Sequence, residues 1–366
     1  MDAIVCHDFG ESAVQTVPKP TLAKNEVLLE VQRVQLSVTE CGLYHGERIS
    51  KYETIASKLE EGSAQLFGHE FCGVVTEIGE EVTTLSVGQR VYAPGKIHCN
   101  DCAYCNADYP QYCQNKEYIG YHRPGALAEY VALPASPLCP LPESVSDAEG
   151  AAMQPAASAA LCVHDADISL GDSVAVIGCG VMGYVCAQLA MQCGADRALV
   201  VDVEQRRLEL AEEKGLTSIN AQNSNPVKRV QDATGGIGAD VVIEAVGGNQ
   251  NHITEGNDPI AQAYRMVRNG GTILQVGHIE GTATLSPRDF RSKSINWINP
   301  TFGSIATGPS TTTGELTASL VAQNRLSLTE YITHTLHGLE SFEKAVEITA
   351  NKHEHDALGP AQIIVE

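Results

Sequence analysis

The feature that most constrains this chain is a glycine turn between an apolar strand and a helix. Ser173-Val-Ala-Val-Ile177 runs into Gly178-Cys-Gly180-Val181-Met182-Gly183, and a helical stretch follows to Cys193. A lone G-x-G-x-x-G is weak evidence, but here it has the strand before it and the helix after it. Gly178 permits the tight turn, Gly180 lets a pyrophosphate approach the backbone, and Gly183 allows close helix–strand packing. The helix N-terminus then offers unpaired N–H groups and partial positive charge to phosphates. Asp202 ends the next strand, where a carboxylate can accept hydrogen bonds from ribose hydroxyls and repel a 2′-phosphate. NAD is therefore favoured over NADP, although Arg206 and Arg207 nearby weaken the preference. Val246 and Val276 complete the candidate cofactor-binding positions. The competing reading, a glycine turn without a ligand, has this whole context against it.

A second motif is Cys99-x-x-Cys102-x-x-Cys105, followed by Cys113. Four thiolates at this spacing can enclose one zinc tetrahedrally and leave no place for water or substrate, so the site is expected to be structural. A set of merely buried thiols would not need such clustering. Cys162, Cys179, Cys186 and Cys193 sit in apolar surroundings and read as packing residues.

The 366 residues carry 45 acidic and 24 basic side chains, a formal charge of -21. That balance argues against nucleic acid and anionic membrane as partners. It suits a salty cytoplasm or simply a soluble acidic enzyme. Met1-Asp-Ala-Ile-Val-Cys6 has no basic n-region or long apolar stretch, so no signal peptide is expected, and no uninterrupted apolar run reaches membrane-spanning length. A cytoplasmic location follows as an expectation, with the twelve cysteines reduced.

Short β-rich runs with Gly and Pro turns fill the first part of the chain, including Ala3–Cys6, Glu26–Val31 and Gln89–Ala93. Ile49, Tyr52, Ile55 and Leu59 recur at helical spacing. A helix is expected over residues 147–164, capped by Ser146 or Asp147. Strands and helices then alternate through Asp240–Glu244 and Gly271–Val276, which predicts a parallel, doubly wound sheet covered on both faces. Ile363–Glu366 could return as a strand to the first domain. The fold class is thus α/β, divided at residues 1–155, 156–299 and 300–366, with a zinc lobe near 95–115.

At Gly68-His69-Glu70-x-x-Gly73-x-Val75-x-x-x-Gly79, together with the cysteine lobe, the glycine turn with Asp202, and Gly270-Gly-Thr-x-x-x-Val-Gly277, the chain resembles the zinc-containing branch of the medium-chain dehydrogenase/reductase family. Within it the resemblance is to polyol (sorbitol-type) and threonine dehydrogenases, and it covers nearly the whole chain. It implies a GroES-like catalytic domain beside a Rossmann domain, hydride transfer between an alcohol and NAD(P), a small-molecule substrate, and a homodimer or homotetramer. The family also implies a catalytic zinc held by a cysteine, the histidine of Gly-His-Glu, and often a glutamate in a Glu-Pro pair. Here His69 is present, but Ser37 and Gln154 stand at the other two positions and Gly42 where the family has a relay histidine. Neutral serine and glutamine are poor zinc ligands beside thiolate and carboxylate, so a tightly bound catalytic zinc is not expected. A register shift could bring Cys41 in as a ligand with His45 as relay, although the gapless match through Ser37-Val-Thr-Glu40 is better.

Without that metal, Thr39 keeps a hydroxyl for the reacting oxygen, and His69 could act as general acid or base oriented by Glu40 or Glu70. His69 could equally be an inert relic of a metal site. The segment from His45 to Phe67 is long for these motifs and reads as a small cap over the substrate or as surface decoration. The leading expectation is an NAD(H)-dependent oxidoreductase of a secondary alcohol or ketone, polyol- or cyclitol-like. A zinc-independent reductase of a conjugated carbonyl or double bond is the alternative within the class. A catalytically silent NAD-binding sensor or assembly protein is the alternative outside it.

Overall fold

In the N-terminal part, strand formation follows the β-branched runs. β1 (Asp2–Asp8) and β2 (Glu11–Thr16) form an antiparallel hairpin. β3 (Glu26–Gln35) buries Val27, Leu28, Leu29, Val31 and Val34 and is the spine of a seven-stranded sheet. Two helices leave its end, α1 (Val38–Tyr44) and α2 (Tyr52–Glu61). The helical spacing expected around residue 52 is realised in α2, whose Ile55 is fully buried. Its segment is tied back to the hairpin by reciprocal backbone bonds between Cys6 and Ala64, both 2.9 Å, and by the stacked rings of Phe9 and Tyr52, 5.0 Å apart.

β4 (Glu70–Ile78) pairs antiparallel with β3, and β5 (Arg90–Tyr92) with β4. A short α3 (Ala103–Asn106) lies in the cysteine lobe. β6 (Tyr130–Pro134) pairs with the first half of β3, and β7 (Cys139–Pro140) with β5. The helix expected over 147–164 is broken in two, α4 (Asp147–Ala151) and α5 (Met153–Asp165). Pro155 explains the break: it has no N–H to give Ala151, and it is tolerated only in the first turn of a new helix. Ser146 caps α4 in a reciprocal capping box with Glu149.

The structure is a computed structural model that describes residues 1–308 and 311–366. It divides into two units, residues 1–158 with 302–366, and residues 159–301. In the second unit, β8 (Ser173–Ile177), α6 (Val181–Gln192), β9 (Arg197–Asp202), α7 (Gln205–Glu213), β10 (Thr217–Asn220), α8 (Pro226–Ala233) and β11 (Ala239–Glu244) alternate. A two-residue β12 (Gly248–Asn249), α9 (Pro259–Met266), β13 (Val267–Gln275), a two-residue β14 (Ile279–Glu280), α10 (Pro287–Lys293) and β15 (Asn296–Ile298) follow. The main sheet is parallel in the order β10-β9-β8-β11-β13-β15. Val174–Ile177, Leu199–Asp202 and Val241–Glu244 are buried continuously, as strands covered on both faces must be. The order reverses between β8 and β11, the switch point at which such sheets open a crevice beyond their carboxyl ends.

The chain re-enters the first unit through β16 (Ala306–Gly308), β17 (Thr311–Thr312) and α11 (Thr313–Ala322), then β18 (Thr335–His337), α12 (Phe342–Ala350) and β19 (Gln362–Ile364). β19 lies antiparallel to the second half of β3, with Ile363 opposite Val34. Among the described residues, no helix is long and apolar enough to cross a membrane.

Candidate active site

The first turn of α1 organises one side of the site. Ser37 is the helix N-cap: its Oγ accepts the Glu40 N–H at 3.1 Å, and the Ser37 N–H points back to Glu40 Oε2 at 3.4 Å. This leaves Glu40 Oε1, on a side chain only 3% exposed, to accept both the His69 N–H at 3.1 Å and the His69 Nδ1–H at 2.6 Å. His69 itself follows Gly68, which sits at φ 79° with the 126–127 backbone so close that a Cβ could not be accommodated. The glycine in the Gly-His-Glu motif is therefore what allows the imidazole to reach Glu40.

Glu70 lies on the other side of the ring, with Oε1 3.8 Å from His69 Nε2 and Oε2 accepting Gln35 Nε2–H at 2.6 Å. Burial works against the imidazolium, but the charge and hydrogen bond of Glu40, with Glu70 behind them, outweigh it and hold His69 up at about 9. Burial raises Glu70 to about 7 against the opposing pull of His69 and Gln35. With Nδ1 committed to Glu40, Nε2 is the nitrogen left to exchange a proton. Tyr121 was not singled out from the sequence. It is buried beside this cluster, with its hydroxyl bonded to Ser37 and 3.5 Å from His69 Nδ1. A tyrosine in a loop carries no motif, and only the turn around Gly120 brings it here.

The other expected positions are placed less centrally. Thr39 is exposed on the first turn of α1. Gln154 gives its amide N–H to Ser158 Oγ at 3.1 Å and to the Pro94 carbonyl at 3.5 Å, and among the described residues it bonds to none of Glu40, His69 and Glu70. Cys41 is buried and bonded to Thr349 of α12, and burial pushes its thiol far above the ordinary range. Its thiol bonds to Thr349 rather than to His69, and His45 is exposed. At Gly42, where the family has a relay histidine, the side-chain ends of Glu47 and Ile49 lie 2.7 and 3.3 Å from where a Cβ would be and would have to shift to admit one. The donor set for a catalytic zinc is thus a capping hydroxyl, an imidazole held by a carboxylate, and a neutral amide; it does not fit a tightly held ion.

In the second unit the three motif glycines answer to different demands. Gly178 takes φ 94°, with Val246 and Ala245 packed against it, and a Cβ on Gly183 would strike the Gly178 carbonyl. Gly180, the N-cap of α6, has nothing within 4 Å of where its Cβ would be. The protein itself does not require glycine there; a ligand lying against the turn would. Val181 and Met182 are half-buried on the first turn of α6, Val246 is exposed over the turn, and Val276 is buried at the end of β13. A dinucleotide pyrophosphate fits this bare helix N-terminus. Asp202 is more occupied than expected: Oδ2 accepts the Cys179 N–H at 2.6 Å, and Oδ1 the Val203 and Glu204 N–H groups at 2.7 and 2.8 Å. It ties the glycine turn to β9 and retains roughly one acceptor site for a ribose hydroxyl. Arg207 Nη1 stands 4.0 Å from Oδ2.

Cys99, Cys102, Cys105 and Cys113 converge in the lobe, with Sγ–Sγ distances of 3.5 Å (99–113), 3.6 Å (102–105) and 3.9 Å (99–105 and 102–113). Zn–S bonds of ~2.3 Å in a tetrahedron place sulfurs about 3.8 Å apart, so four thiolates here fit one zinc. Among the described residues, this is the only group of three or more His, Cys, Asp or Glu side chains whose ligand atoms converge closely enough to share an ion.

Comparison with known proteins identifies the family of both units. Residues 23–143 match the alcohol dehydrogenase GroES-like domain, and residues 181–320 match the zinc-binding dehydrogenase family. L-threonine 3-dehydrogenase of Bacillus subtilis (strain 168) is 30% identical over 350 residues, 95% of each chain. The alcohol dehydrogenase TADH of Thermus sp. ATN1 superposes over 100% of both chains with a TM-score of 0.82 and 28% identity. A zinc-binding dehydrogenase of Sinorhizobium meliloti 1021, solved bound to NADP, covers 99% of this chain and 98% of its own, with a TM-score of 0.83 and 25% identity.

Two measurements check this site. Gly180→Ala should leave the melting temperature near wild type while weakening NADH binding, and Gly183→Ala should lower the melting temperature itself; calorimetry and NADH fluorescence separate the two effects. Cys102→Ser should lose the lobe zinc and unfold at lower temperature, by a few degrees or more for each ~1 kcal/mol lost, read by elemental mass spectrometry and calorimetry.

Proposed function

Because this chain belongs to the zinc-containing medium-chain dehydrogenase/reductase family, we propose that it is an NAD(H)-dependent oxidoreductase interconverting a secondary alcohol and its ketone without a tightly bound catalytic zinc. A polyol- or cyclitol-like compound is the substrate class. The observation that carries the reading is the Glu40–His69 pair: the position expected to give a thiolate gives a helix-capping serine, and the histidine is bonded to a buried carboxylate.

When bound, the nicotinamide supplies the hydride to the carbonyl carbon. The chain's own work is at the oxygen. His69, held cationic near neutral pH, donates a proton from Nε2 to the oxygen as the carbonyl is reduced, and takes it back when the alcohol is oxidised. Glu40 fixes the ring by holding Nδ1 and stabilises the cation. Thr39, exposed on the first turn of α1, is assigned the hydroxyl hydrogen bond to the same oxygen in this reading, and Tyr121 closes the inner wall. Asp202 receives an adenosine ribose hydroxyl, which favours NAD, while Arg207 sits close enough to temper that selection. Val181, Met182, Val246 and Val276 line the cofactor.

Ketone reduction should be insensitive to chelators that leave the cysteine lobe filled. Its kcat should fall as pH rises through about 9, where His69 loses the proton it donates. The oxidative direction, which needs the neutral base, should rise over the same range. His69→Gln should lower kcat by roughly 10²–10⁴-fold and abolish the alkaline limb, whereas an unchanged rate across a ketone panel would remove His69 from the chemistry. The same imidazole contributes to stability: its folded value lies above its unfolded value near 6.5, so that contribution is full below about 6.5 and is lost as pH rises through 9.

A further inference from the structure

A group of cations in the same unit takes no part in the chemistry above. Ile97 and Glu117 form an antiparallel bridge, each donating its N–H to the other's carbonyl at 2.9 Å. Strand alternation therefore puts Lys96, His98, Lys116 and Tyr118 together on the opposite face of that ribbon. Lys51, in the left-handed region at φ 78° just before α2, sets its ammonium 4.4 Å over the Tyr118 ring. Beside it lies a cavity of about 370 Å³ walled by Arg48, Ile49, Lys51, Tyr52, Glu53 and Thr54.

Lys96 is 8% exposed and spends one donor on the Gln111 carbonyl at 3.0 Å. Among the described residues, none of Lys51, Lys96 and Lys116 is ion-paired with a carboxylate. In a chain with 45 acidic and 24 basic side chains, Lys51 and Lys116 have no carboxylate ion-pair partner among the described residues, and Lys96 is compensated in part by the Cys113 thiol, so a bound anion would stabilise this face. Burial, and after it the charge of Lys116, pulls Lys51 below its ordinary range. The group is connected to the site: Tyr118 packs edge-on to Tyr121 at 6.5 Å, and Tyr121 lies 5.5 Å from the His69 ring.

We propose that Lys51, Lys96 and Lys116 form a recognition site for a phosphate-class anionic group carried by the substrate, two aromatic rings away from His69. The proposal deepens the dehydrogenase reading and rests on it for the identity of the reacting end. Ammonium groups on separate backbone elements suit a compact dianion, each supplying a charge-assisted hydrogen bond to a different oxygen.

The test is calorimetric titration of zinc-loaded, NAD-saturated protein with inorganic phosphate, the cofactor filling the other phosphate-binding turn. Saturable binding is expected, weakened about tenfold or more in Lys51→Ala and in Lys116→Ala, as loss of one charge-assisted bond implies. A phosphorylated polyol should displace the phosphate, and the unphosphorylated polyol should not. Absent binding, or binding indifferent to both substitutions, would overturn the site. Phosphate held by these lysines but not displaced by the phosphorylated polyol would mark a site for a free ion and overturn the substrate assignment. Loss of zinc in either variant would overturn it too, by assigning the lysines to the thiolate cluster. Cofactor binding and the effect of His69→Gln are measured independently, so failure of the dehydrogenase reading is distinguishable from failure of the anion site.

Discussion

The carboxylate of Glu40 is the contact on which the rest of the site depends. It closes the first turn of α1 by bonding to the Ser37 N–H, and with its other oxygen it takes both the backbone and the ring N–H of His69. A buried carboxylate is costly unless its lone pairs are satisfied, and here they are, by a helix end and an imidazole. The helix, the Gly-His-Glu strand and the charge state of His69 are thereby set by one group. Removing Glu40 would leave α1 without its reciprocal cap and His69 without the charge that keeps it cationic.

The same arrangement explains why the metal positions differ from those of the family. Ser37 is excellent as an N-cap and poor as a metal ligand. At Gly42, the side chains of Glu47 and Ile49 from the longer segment that follows α1 occupy the space beside the backbone. That segment also delivers Lys51 to the ribbon carrying Lys96 and Lys116. The serine at the expected metal position, the glycine at the relay position and the lysine delivered to the cationic group thus all lie within one short stretch, residues 37–51. In the proposed mechanism, a cationic imidazole supplies the positive charge that a metal ion would bring, at the point where a carbonyl oxygen becomes negative.

Much of the fold was legible because its signals are local. Continuous apolar runs such as Val174–Ile177 can be buried only in a covered parallel sheet, and the strand-turn-helix glycines admit few backbones. The four cysteines are read from spacing alone because a tetrahedron has one size. Less could be read where long-range packing decides. Tyr121 reaches His69 through a loop with no periodicity, and Lys51 meets Tyr118 across many residues of intervening chain. Asp202 was legible as a carboxylate at a strand end, but its three backbone bonds to the glycine turn and the following loop appear only in three dimensions. The helix over 147–164 was read as continuous because its alanines outweighed Pro155 in the pattern, although not in the backbone.

The central claim is that the chain holds its structural metal and performs its proton chemistry without a second one. Zinc per chain, measured by elemental mass spectrometry on active protein purified without added metal, tests it most directly. About one zinc is predicted, the number four thiolates in one tetrahedron can hold. About two, with activity lost as the second is removed, would contradict the account and return the substrate oxygen to a metal ion.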